Sequence, residues 1–366
     1  MSLRVALVGG PMYDDLYERL PDWLGDDADV VVHADHPTLN RRVAEMLDAG
    51  ERLDIISTHG KYAPSQSQWL QPLDDLLDDE ALAPLAPKAV DLCRFRGDLL
   101  CVPRNIDVRV LWWRTDVLDA APASWDDVEQ ASRSDQNRSF GFTGRESGLF
   151  GLFYELMVSA GGAPFDADGR PTLTGDVAVA SVERLQRLAA QGPDDLPHWH
   201  YDEVDDALLD GRVAMAAAWP GGYERIRTSD RYASLRPAMY PGGKSYSGCH
   251  GWAIPKTCGD VDAAVALLTD LASEEAQAVD AAAGTVPAHR GAFDAYVPVD
   301  AVDAERLAVT RRTIEDAMLT YPPLVRFPEI EDAAWGAIHD ALLGSIDAPT
   351  AVERMQSAAL AALDAS

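Results

Sequence analysis

A chain of 366 residues can form two domains at the usual size of about 100–200 residues each. With 47% hydrophobic and 25% charged residues it has a globular composition, which excludes a disordered tail or a fibrous repeat. Its formal charge of −29, from 60 acidic against 31 basic residues, excludes nucleic acid and anionic membrane surfaces as partners. Lysine occurs only at 61, 88, 244 and 256, and the surplus Asp fits solvated helix and loop positions, so the charge serves solubility or salt adaptation.

The first elements alternate. Strand Val5 to Val8, a helix through Tyr13 to Trp23, strand Val30 to His33, a helix through Leu39 to Leu47 and strand Leu53 to Ile56 form a βαβαβ pattern. Such alternation specifies an α/β fold with a mostly parallel sheet. Open parallel sheets bind ligands beyond the carboxyl ends of their strands. Tyr13, His36 and the polar tip Ser57-Thr58-His59-Gly60-Lys61-Tyr62 follow the first three strands and are candidate ligand contacts. The plainer reading of that tip is a solvated loop. "LVGGP" at Val8 to Pro11 lacks a full phosphate-loop pattern and reads as a turn presenting Met12 and Tyr13.

Cys93 and Cys101 flank a predicted hairpin around Arg96-Gly97-Asp98, so a Cys93–Cys101 bridge and free buried thiols both stay open, as they do for Cys249 and Cys258. The run "LLCVPRNIDVRVLWWRTDVL", Leu99 to Leu118, is extended and able to pass from one domain to another. Ser124 and Asp127 in "APASWDDV" form an approximate capping box. Further helices are expected at Ser147–Ser159, Asp176–Ala190, Glu203–Leu209 and Val261–Ala283, with two more at Asp332–Leu343 and Pro349–Ala362. The most apolar helical stretch, Leu149 to Ala160, is short and carries Glu155, so no transmembrane helix is expected. "HWHYDE", His198 to Glu203, has two alternating histidines but no fixed third ligand, so no metal site and no cofactor are expected.

Five segments, taken in order, resemble the extracellular solute-binding proteins of ABC importers, in the sugar-binding group typified by the maltose-binding protein. They are "DIISTHGKYAPSQSQWLQPLDDLL", "LLCVPRNIDVRVLWWRTDVL", "PASWDDV", "LLDGRVAMAAAWPGGYE" and "HGWAIPKTCGDVDAAVALLTDLASEEAQAVDAAAGTVPAHRGAF". The resemblance implies a two-lobe periplasmic-binding-protein fold of type II, with a ligand cleft between lobes joined by crossover strands. The first lobe would comprise 1–106 and 257–299, the second 107–256 and 300–366. It further implies a non-enzymatic, monomeric, extracytoplasmic receptor that passes a mono- or oligosaccharide to a membrane permease. No leader precedes the first strand, so a trimmed or lipid-anchored mature form and a cytosolic protein both fit the residues.

A sugar site needs carboxylate acceptors, planar donors and aromatic rings. The resemblance places Asp107 as a sugar-binding acid after the first crossover, with Arg109 on the same side of the extended chain; a hinge ion pair is the alternative. Trp219, Gly221 and Tyr223 lie in the Trp-Pro-Gly-Gly-Tyr loop, whose glycines allow close backbone approach. Phe150 lies on a helix edge beside Glu146 and Tyr154. Trp252, Arg290 and Arg326 match stretches that the resemblance brings toward the ligand. An anionic solute such as a polyol phosphate, held by Arg109 and Arg290, is the competing cargo. A glycoside hydrolase using Asp107 and Glu146 is the competing enzyme.

Overall fold

The computed structural model describes residues 2–20, 28–133 and 138–365. In chain order the principal elements begin with β1 (Leu3–Val8), α1 (Pro11–Glu18), β2 (Ala28–Ala34), α2 (His36–Asp48), β3 (Ile55–His59), β4 (Val102–Val108) and β5 (Val110–Arg114). They continue with α3 (Trp125–Ser132), β6 (Phe140–Gly141), α4 (Glu146–Ser159), α5 (Asp176–Gln191), α6 (Tyr201–Asp210) and β7 (Met215–Ala218). Next come α7 (Tyr223–Thr228), β8 (Leu235–Ala238), β9 (Ser245–Ala253), α8 (Val261–Leu271), α9 (Glu274–Ala282) and α10 (Arg290–Ala295). The last are α11 (Ala301–Arg312), β10 (Met318–Leu319), α12 (Phe327–Leu342) and α13 (Ala348–Asp364).

The chain divides into two compact units, 1–107 with 248–297 and 323–325, and 108–247 with 298–322 and 326–366. In the first unit β1 pairs in parallel with both β2 and β3, so all three strands end at one edge, at Val8, Ala34 and His59. β9 adds antiparallel to β3, with His250 opposite His59 and Trp252 opposite Ser57, and β4 pairs with β9. This pairing moves the return boundary from the expected 256/257 to 247/248, because Gly248 to Ala253 belongs to the first sheet.

Local sequence explains the helix that follows β2. Asp35 accepts a hydrogen bond from Thr38 N at 2.9 Å, Pro37 occupies the first turn, and Leu39, Val43 and Leu47 recur every four residues on the buried face. That cap fixes His36 as the first helical residue. α1 ends at Glu18 with Arg19 as its cap, short of the expected Trp23, and residues 21–23 lie outside the described residues. The expected helix Val261–Ala283 is two helices, α8 and α9, because Ser273 caps the second by accepting from Ala276 N at 3.2 Å.

The second unit is built on the sheet β8-β5-β7-β6. The capping box of α3 forms as its residues require, with Asp127 N donating to Ser124 Oγ and Ser124 N to Asp127 Oδ2. α4 is buried along nearly its whole length and packs against α12, which itself packs on α13. No described helix is long and apolar enough to cross a membrane. Back in the first unit, the expected hairpin forms between Arg94–Phe95 and Asp98–Leu99, with Arg96 and Gly97 at φ 54° and 101°. All four cysteines are free, and Cys93 Sγ lies 3.5 Å from Cys249 Sγ, neither being paired as the sequence allowed.

One buried acid of the second unit makes the fold pH-sensitive. Burial pushes the Asp205 carboxyl up to about 7; Arg225 opposes this, and Asp202 and Asp206 add to it by smaller amounts. A carboxyl raised above its unfolded value stabilises below the unfolded pKa and loses that contribution as pH rises toward 7. Between pH 5 and 8, Asp205→Asn should therefore gain about 2 kcal/mol relative to the unmodified chain. Urea unfolding at the two pH values checks this, and parallel pH profiles for the two proteins would refute it.

Candidate functional site

At the carboxyl edge of the first sheet five separate chain segments bring polar groups together. The Asp107 carboxylate, at the end of β4, stands at the centre. Its Oδ2 lies 2.9 Å from His250 Nε2 and 3.5 Å from His59 Nε2, while Asn105 Nδ2 donates to Oδ1 at 3.0 Å. Burial alone would raise this carboxyl, but the facing imidazoles of His250 and His59 hold it well below the usual carboxylate range. Asp107 Oδ2 is thus placed as an acceptor toward both imidazoles.

The imidazoles are ordered by their other nitrogens. Lys61 N–H donates to His59 Nδ1 at 3.1 Å, so the neutral ring carries its proton on Nε2, facing Asp107. His36 Nε2 lies 2.8 Å from His250 Nδ1, and the Tyr13 hydroxyl 2.9 Å from His250 Nε2. Burial pushes His59 down to about 4, and burial together with His250 and His59 holds His36 well below its ordinary value. Tyr13 is in turn held by Arg104, whose guanidinium lies over its ring at 5.0 Å and donates to its carbonyl. Arg104 is itself fixed by two 2.7 Å bonds to Asp280. Tyr62, half-buried, closes on His36 at a centroid distance of 6.1 Å.

A second polar and aromatic surface lies in the second unit, at the carboxyl end of β7. Trp219 is half-buried, backed by the Arg109 guanidinium at 5.2 Å from its ring, with Tyr201 at its edge. The Tyr201 hydroxyl lies 3.0 Å from Ser147 Oγ, and Glu146, at φ 59°, meets His200 Nε2 at 3.0 Å. A non-glycine residue in the left-handed region at the start of α4 is a strained position.

The structure therefore brings together Tyr13, His36, His59 and Asp107 in the first unit, and leaves Trp219 and Gly221 on an accessible turn of the second. Six other candidates are otherwise engaged. Thr58 is fully buried and donates to Gln66 Oε1 at 2.6 Å. Phe150 is fully buried among Phe153, Tyr154, Tyr246 and Phe327. Tyr223 is core, covered by Arg306 at 3.8 Å. Trp252 is 1% exposed and lies against Tyr17 and Arg104. Arg290 donates to the carbonyls of Ala83 and Pro84, and Arg326 pairs with Glu329 at 2.8 Å. Arg109 is buried too, bound to Glu155 at 2.6 Å, so it supports Trp219. Each of these two arginines is thus engaged within its own unit, Arg109 by Glu155 and Arg290 by two carbonyls.

Sequence reasoning missed His250 and Tyr201. His250 had one signal, its place two residues before Trp252 on an extended run, but its opposition to His59 depends on the register of β9 against β3.

A family model described as bacterial extracellular solute-binding protein matches residues 27–305. Among solved structures, maltose-bound MalE3 of T. maritima superposes with a TM-score of 0.88 at 20% identity, covering 98% of this chain and 99% of that one. The GacH receptor of Streptomyces glaucescens, solved unliganded and with acarbose, gives 0.85 at 17% identity, covering 100% and 99%. A curated relative from Deinococcus radiodurans, a probable ABC transporter-binding protein, is 25% identical over 215 residues. The chain spans about half the length of that relative, 50% of each being matched.

The support beneath Trp219 can be tested directly. Glu155 is fully buried, accepting from Arg109 and, at 2.6 Å, from Tyr246 N. Glu155→Ala leaves a buried guanidinium uncompensated and should cost about 3–5 kcal/mol in denaturant unfolding, with altered tryptophan fluorescence in the folded state. A loss below about 1 kcal/mol would show that the pair is not needed there.

Proposed function

Since the chain belongs to the bacterial extracellular solute-binding proteins, a family that works outside the cytoplasm, we propose that it captures a neutral mono- or oligosaccharide and delivers it to the membrane permease of an ABC importer. The observation that carries this reading is Trp219, a half-buried indole with the Arg109 guanidinium over its ring, and the Tyr201 and Ser147 hydroxyls and the Glu146 carboxylate nearby in the same unit. An aromatic face suits the C–H side of a pyranose, and hydroxyl and carboxylate groups suit its rim. In the first unit, Asp107 adds an ionised acceptor and Tyr13, His36 and Tyr62 add groups able to bond hydroxyls. Maltose and acarbose are bound by the two structural neighbours named above, which supports the same ligand class here.

The anionic alternative is disfavoured because Arg109 is neutralised by Glu155 and Arg290 is spent on carbonyls. Family membership and the relative named as transporter-binding favour a transport role over an enzymatic one.

A thermal-shift and calorimetric screen against maltose, other neutral sugars, polyols, polyol phosphates and small carboxylates tests the proposal. At about a hundred times its dissociation constant, a bound sugar adds roughly 2.7 kcal/mol of stability. Trp219→Ala should weaken the selected sugar about ten- to hundredfold, equivalent to roughly 1.4–2.8 kcal/mol, while the ligand-free protein stays folded. Stabilisation by anions alone, or an unchanged affinity in Trp219→Ala, overturns the carbohydrate assignment.

A further inference from the structure

We propose that His59 Nε2, His250 Nε2 and Asp107 Oδ2 form a binding site for a divalent transition metal of the zinc or cobalt class. The three ligand atoms lie within 4.8 Å of one another, the one group among the described residues in which His, Cys, Asp or Glu atoms converge in this way. The two imidazole nitrogens come from directly opposed residues of β3 and β9 and aim at a single carboxylate oxygen, at 3.5 and 2.9 Å. Ligands about 2.1 Å from one tetrahedral ion stand roughly 3.4 Å apart, so an ion enters with small side-chain movements. The Tyr13 hydroxyl lies beside the group, 2.9 Å from His250 Nε2.

The surroundings have the character of an outer shell. Asn105 holds Asp107 Oδ1 and leaves Oδ2 to the ion. His36 Nε2 meets the remaining nitrogen of His250, where a ligating imidazole needs an acceptor for its other proton. Two nitrogens and one carboxylate oxygen favour zinc, cobalt, nickel or copper over magnesium or calcium. On binding, each neutral ring moves its proton from Nε2 to Nδ1 and offers the freed Nε2 lone pair to the cation, with no net proton release. His59 then carries its proton on Nδ1, where Lys61 N–H now donates at 3.1 Å, so that backbone bond is given up. His59 is therefore the weakest of the three ligands, and His250 the principal one.

The proposal shares Asp107, Tyr13 and His36 with the carbohydrate reading but does not rest on it, and it is tested without any sugar. Chelator-stripped protein is titrated with zinc chloride in a calorimeter, with excess magnesium present to occupy the acidic surface. One equivalent should bind with a micromolar or tighter dissociation constant. His250→Gln should abolish saturable binding, and His59→Gln and His36→Gln should each weaken it about ten- to hundredfold. His198→Gln, whose ring meets His339 edge-on in the second unit, should change nothing. If His250→Gln does not fold, cobalt titration of the unmodified chain gives an independent readout, the intense visible absorption of a low-coordinate ion. Absence of saturable binding, or an affinity that survives both His59→Gln and His250→Gln, overturns the site.

Discussion

A negative charge taken out of water must find donors, and the buried carboxylate of Asp107 sets that condition for the first unit. It sits at the end of β4 with Asn105, His59 and His250 turned toward it. Its demand orients two imidazoles, and through His250 it also sets the place of Tyr13 and His36. A lone carboxylate in this position would be expensive; with these partners it stays ionised and the surrounding groups hold one arrangement. The same logic recurs one layer away, where Arg104 is clamped by Asp280 and lies against Tyr13, Tyr17 and Trp252.

The second unit solves the opposite problem. Arg109 is a buried cation, neutralised by Glu155 from the middle of an otherwise apolar helix, and its guanidinium plane supports Trp219 and Tyr240. Here charge burial makes a platform for an aromatic ring. Gly151 lets this packing close, since a Cβ there would stand 2.7 Å from the Tyr246 ring and 3.1 Å from Arg109. A buried pair of this kind adds little net stability, but it fixes geometry by making other arrangements costly.

The alternation of strand and helix in the first hundred residues was legible because each strand is short and apolar and each helix has its cap or proline in sequence. Candidates placed directly after those strands, Tyr13, His36 and His59, do gather at one edge, since parallel strands share a carboxyl end. What the residues could not disclose was register and burial. Trp252 and Tyr223 are aromatic, near turns, and read as ligand contacts, yet each is covered by an arginine whose position depends on distant contacts. His250 escaped notice for the same reason: only the long-range pairing of β9 with β3 places it opposite His59.

That pairing also orders events in time. The groups around Asp107 come from residues 13, 36, 59, 107 and 250, so more than half of the chain must be synthesised before the last imidazole exists. A nascent chain ending after β4 carries the carboxylate with His59 but without His250. Since contacts so distant in sequence form late, the first sheet is completed by the return of the chain. Whatever this edge binds through all five groups can therefore recognise only a chain in which β9 has returned to β3, which makes occupancy of the site a report on the completion of that sheet.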